Sequence, residues 1–110
     1  MTGQALNQFV VETLEEGKAL NIETLDVTGR SSLADTYIVA SGTSAIHVRS
    51  LAERVEEALE EKGIKPRSIE GLDTRKWVLM DYGDLLVHLF LPEERAYYDI
   101  ERLWQISTAR

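Results

Sequence analysis

The fold turns on WVLMDYGDLLVHLFL, residues 77–91, where two apolar runs flank a Gly-Asp pair. WVLMDY (77–82) and LLVHLFL (85–91) both read as strands, and Gly83 marks a tight turn between them. With an even number of turn residues, odd positions of the first strand face the same side as even positions of the second. Val78, Met80, Leu85, Val87, Leu89 and Leu91 then make a wholly apolar face, which belongs in the core. Trp77, Leu79, Asp81, Asp84, Leu86, His88 and Phe90 share the other face. A one-residue slip exchanges the two faces, so the length of the turn decides the assignment.

The second face mixes large apolar groups with a histidine and two carboxylates. A core excludes such carboxylates, and a solvated face is more polar. Apolar groups rimmed by charge point to an interface. The competing reading covers this face with the N-terminal or C-terminal helix. Full burial of both Trp77 and Phe90 within one monomer would remove the interface reading.

Working outward, residues 4–18 place Leu6, Phe9, Val10, Thr13, Leu14 and Gly17 on one side of a helix. IETLDVTG (22–29) and DTYIVASG (35–42) read as strands joined by a loop. Thr43 or Ser44 caps the next helix, whose inner stripe is Val48, Leu51, Ala52, Val55, Ala58 and Leu59. Its glutamate-rich outer side, Glu53 to Glu61, is a water-facing surface, and Gly63 ends it. A short strand around residues 67–71 precedes the central hairpin. Pro92, Glu93 and Glu94 open a last helix with Ala96, Tyr97, Ile100, Leu103 and Trp104 as its inner stripe. The expected order is αββαβββα, an α+β (or α/β) fold with a mixed five-stranded sheet and helices mainly on one face.

The 110 residues fit one domain, 1–110, since no repeat, low-complexity tract or linker divides them. No apolar run reaches the roughly 20 residues of a membrane span. The first twenty residues carry three glutamates and no basic leader, so they read as neither a signal nor a transit peptide. A cytoplasmic protein is expected. With no cysteine there is no disulfide, thiolate metal site or cysteine nucleophile. The net charge of −7 disfavours direct binding to nucleic acid and suits a basic protein partner.

Catalytic readings find little support. Gly42-Thr43-Ser44 joins a strand to a helix, so free N–H groups there suit a phosphate. Yet the segment lacks the lysine of a P-loop, and hydroxyls are also what a helix cap requires. A nucleotide-binding or nucleotidyl-transfer enzyme built on this helix start is the alternative function. His47 and His88 form no metal-ligand motif. Asp81 and Asp84 flank Gly83, where turn chemistry accounts for both. Ser41, His47 and Asp35 make a triad on paper, without a nucleophile elbow. No cofactor or metal is expected.

Four blocks in order carry a more specific signal: LADTYIVASGTSAIHV (33–48), Glu70-Gly71, WVLMDYGDLLVHLF (77–90) and ERAYYDIERLW (94–104). Together they resemble the ribosomal silencing factor family, also called Iojap-related. Thr36 departs from the bulkier residue common there. The resemblance implies a nucleotidyltransferase-like fold without the catalytic carboxylates. It also implies repression of translation under nutrient limitation. The protein would bind the large ribosomal subunit through ribosomal protein fourteen and block joining with the small subunit. A homodimer is implied for the free protein. On this chain the partner-binding surface would comprise Glu70, Trp77, Leu79, Asp81, Tyr82, Gly83, Asp84, His88 and Arg95. Trp77 and Leu79 would be its anchors, the three acids its charged rim, and Tyr82 and Gly83 its tip. His88 is expected to support neighbours instead of touching the partner.

Overall fold

A computed structural model describes residues 3–103. The elements are α1 (Gly3–Glu16), β1 (Leu20–Asp26), β2 (Thr36–Ser41), α2 (Ala45–Glu60), β3 (Ser68–Glu70), β4 (Trp77–Asp81), β5 (Leu85–Phe90) and α3 (Pro92–Tyr98). This is the expected order. The strands form one mixed sheet, β1-β2-β5-β4-β3, in which only β2 and β5 run parallel. Parallel neighbours need a crossover, and α2 lies within the one that joins them.

The turn has the even length on which the face assignment depends. Trp77 pairs with Phe90, Leu79 with His88 and Asp81 with Leu86. The Tyr82 N–H donates to the Leu85 carbonyl at 2.9 Å, which leaves Gly83 and Asp84 as the turn residues. Gly83 takes φ 89°, a left-handed conformation that only glycine adopts without steric cost. Asp81 Oδ1 accepts the Gly83 N–H at 2.8 Å and fixes the turn further.

The wholly apolar face is the main core. Val78, Met80, Leu85, Val87 and Leu89 pack with Ile38 and Ala40 of β2 against Val10 and Leu14 of α1 and Val48, Leu51, Val55 and Leu59 of α2. Burial of such side chains stabilises by roughly 1.5–3 kcal/mol each, so this layer dominates folding. Ser44 is the cap of α2, its Oγ accepting the His47 N–H at 3.1 Å.

Two elements differ from expectation. β1 begins earlier and contains a bulge between Leu20 and Glu23, with Asn21 at φ 50°. It ends at Asp26, whose carboxylate accepts the Thr28 N–H and turns the chain away from the sheet. The last helix is not one continuous stripe. Asp99 is left-handed (φ 47°, ψ 47°), its N–H donates to the Arg95 carbonyl, and residues 100–103 form a separate helical turn. That break interrupts the helical periodicity. Ala96, Tyr97 and Leu103 are exposed, and Ile100 alone of the described stripe residues packs against the sheet. Trp104 lies outside the described residues.

Candidate partner-binding surface

The mixed face of the hairpin carries a second, smaller cluster. Leu25, Val27, Ala34, Tyr37, Val39, Leu86 and Phe90 are buried in it, with Trp77, Leu79 and Ile100 packed against them. The face is therefore not the open patch that alternation alone suggests. Residues 27–34 leave the end of β1 and bring Val27 and Ala34 into the cluster, while Ile100 arrives from beyond α3. Phe90 has no exposed surface, whereas Trp77 is only half-buried. The coverage test thus divides, and what stays accessible is Trp77, Leu79 and the rim.

The pairing register explains that layout. One row across the sheet runs Glu23, Val39, His88, Leu79, Glu70. Its centre is buried, Leu79 is half-buried, and an exposed acid stands at each end. Asp81 lies one row further on, beside Leu86. Apolar groups with carboxylates at their margin are the pattern of a recognition surface for a basic partner.

Trp77 is held on three sides. Its ring stacks on Phe90 with centroids 4.9 Å apart and planes at 27°, and Tyr98 lies against it at 4.7 Å and 44°. Its indole N–H donates to His88 Nδ1 at 3.1 Å. Gly71, with φ 90°, brings the preceding loop against the Trp77 carbonyl, where any Cβ would collide. His88 is 5% exposed, packs 4.8 Å from the Tyr37 ring, and has its pKa lowered to about 4 by burial. It is a neutral imidazole at physiological pH.

At the tip, Asp84 is exposed while its carbonyl accepts the Asp35 and Thr36 N–H groups. Tyr82 is half-buried and its hydroxyl meets no hydrogen-bond partner among the described residues. Burial, with a smaller contribution from Glu56, pushes its pKa up to about 12.

Arg95 is engaged within the chain. Nε and Nη2 bind both oxygens of Glu101 at 2.8 Å. Nη1 reaches Ser41 Oγ at 2.9 Å and the Leu20 carbonyl at 3.3 Å, and Nη2 also reaches the Asn21 carbonyl at 2.6 Å. A guanidinium has five N–H donors, and five contacts are made. Arg95 thereby ties β1, β2 and the turn after α3 together. Sequence reading missed Tyr98 and Ile100 as parts of this site. Tyr98 was in the fourth matching block, but the helical break that separates it from Ile100 leaves no mark in spacing.

The other candidate chemistry is not assembled. The Gly42 N–H donates to the Phe90 carbonyl, and the Thr43 N–H donates to His47 Nδ1 at 2.9 Å. His47 Nε2 then carries the proton and donates to the Gly17 carbonyl at 2.8 Å. The Gly42 and Thr43 N–H groups ahead of α2 are thus engaged internally, while Ser41 Oγ serves Arg95 and both His47 ring nitrogens are bonded elsewhere. Among the described residues no three His, Asp or Glu side chains converge as a metal site, and no helix is long and apolar enough to cross a membrane.

Fold and surface together define a small α+β protein with α1 and α2 on one sheet face and an aromatic, acid-rimmed surface on the other. A family model described as "Ribosomal silencing factor during starvation" matches residues 2–110. The chain belongs to the ribosomal silencing factor family. It is 36% identical over 104 residues to a ribosomal silencing factor of Halalkalibacterium halodurans, covering 94% of this chain and 89% of that one. A mouse protein named for mitochondrial assembly of the ribosomal large subunit is 31% identical over 105 residues, covering 91% of this chain and 45% of that protein. A crystal structure from Chromobacterium violaceum superposes with a TM-score of 0.92 at 41% identity, covering 96% of this chain and 88% of that one.

Proposed function

We propose that this chain represses translation by occupying a surface and not by turning over a substrate. It binds the large ribosomal subunit through ribosomal protein fourteen and sterically prevents joining with the small subunit, chiefly when nutrients are scarce. The full-length match to the silencing factor family carries this reading. The mouse relative, named for the large subunit, supports the choice of subunit.

The surface fits the role physically. Trp77 and Leu79 supply half-buried apolar anchors, where binding energy concentrates in most interfaces. Glu70, Asp81 and Asp84 give the rim a negative field, and the chain as a whole carries −7, so a basic ribosomal protein is attracted. Tyr82 and Gly83 shape the tip between them. The protein acts as one domain in the cytoplasm, needs no cofactor, and is a homodimer when free.

Sedimentation with separated ribosomal subunits tests the reading. The protein should travel with large subunits alone, and adding it before small subunits should lower the yield of joined ribosomes. Equal binding to both subunits, or binding with undiminished joining, would sink it.

A further inference from the structure

We propose that His88 is the positioning residue for Trp77: its Nδ1 selects the one orientation of the indole that docks on the partner, without His88 touching the partner. The inference rests on the docking surface proposed above.

His88 sits in the middle of β5 at 5% exposure, too deep to meet another molecule. The indole N–H can only donate, so Nδ1 must be the acceptor in their 3.1 Å bond and the proton must sit on Nε2. Nε2 is buried and meets no hydrogen-bond partner among the described residues. A buried donor left unsatisfied is unfavourable, and an apolar side chain at this position would avoid it. His88 is nonetheless the polar centre of an otherwise apolar neighbourhood formed by Tyr37, Leu79, Phe90 and Trp77. Among the described residues the bond to Trp77 is the one hydrogen bond its ring makes, so that bond is what distinguishes histidine from leucine here.

Stacking on Phe90 and contact with Tyr98 hold the plane of the ring. A half-turn of the indole about its Cβ–Cγ bond keeps that plane but carries the N–H to the opposite side, away from Nδ1. An acceptor on one side removes that second orientation. Because the imidazole stays neutral in its buried position, the acceptor is present throughout the physiological range. A half-buried anchor that is already oriented loses less freedom on binding.

Four full-length proteins decide the matter: wild type, His88→Leu, Trp77→Ala and the double variant, each titrated against large subunits by co-sedimentation. His88→Leu should match or exceed the wild type in thermal midpoint, yet bind about tenfold more weakly. Its Trp77 indole N–H resonance, assigned by its loss in Trp77→Ala, should move from the hydrogen-bonded position. In the Trp77→Ala background the same change should alter affinity by less than about twofold. His88→Asn, whose amide oxygen stands where Nδ1 does, should restore both resonance and affinity, and His88→Phe, which also lacks the acceptor, replaces the leucine variant if that fails to fold. Wild-type affinity in His88→Leu, an unmoved resonance, or an equal loss with Trp77 absent overturns the inference while leaving the function intact. Wild-type protein that does not sediment with large subunits overturns both.

Discussion

The two faces of one β-hairpin have been put to opposite uses. On the helix side, Val78, Met80, Leu85, Val87 and Leu89 belong to one hydrophobic cluster, and all are buried. On the other side, the alternate residues Trp77, Leu79, Asp81, Leu86, His88 and Phe90 grade from a buried centre to a charged margin. A buried imidazole with an unsatisfied nitrogen sits in that centre. The helix-side layer is arranged for stability. The opposite layer tolerates polar groups that a pure core would reject, which is expected where selection acts on recognition.

That contrast can be broken by experiment. Leu89→Ala, on the helix side, should lower unfolding free energy by about 2–5 kcal/mol in denaturant titration. An equal loss of stability from Trp77→Ala would erase the difference between the faces. Next in size is an acid effect. His88 has a folded pKa of about 4 against 6.5 when unfolded, so the unfolded chain takes up the extra proton. Stability contributed by this group is complete above pH 6.5, falls as pH drops toward 4, and levels off below. The full loss is on the order of 3 kcal/mol. Unfolding midpoints between pH 4 and 7 should show it in wild type and lose it in His88→Leu.

Smaller effects belong to binding. Trp77→Ala should cost ~2 kcal/mol or more in affinity for large subunits, measured on protein shown to be folded. An unchanged affinity would move the anchor elsewhere. Glu70→Gln should cost less than about 1 kcal/mol, mostly in association rate, and the deficit should fade at high salt. A salt-independent loss would mean that Glu70 is buried in the complex and not part of its rim.

The hairpin register was legible because Gly83 needs a left-handed turn and period-two alternation runs without interruption on both sides of it. The strand–helix–strand crossover was legible for a similar reason, since Ser44 caps α2 just where the helical stripe begins. The covering of the mixed face was not. Val27, Ala34 and Ile100 approach it from segments whose own periodicity says nothing of where they return. Asp99 hid the break in the last helix, since aspartate tolerates a left-handed backbone without announcing it as glycine does. The tie from Arg95 to the Leu20 and Asn21 carbonyls was not legible either, since backbone carbonyls at a bulge have no letter in a sequence.

Arg95 has one more consequence, for the molecule among its neighbours. β1 is an edge strand, and open edges invite strands from other molecules to add to the sheet. The guanidinium occupies the Leu20 and Asn21 carbonyls, and the bulge there disturbs the regular spacing that an incoming strand must match. Further along, Glu23 and Asp26 would bring like charges together if two copies paired. Arg95 thus also helps guard the sheet against growing into aggregates.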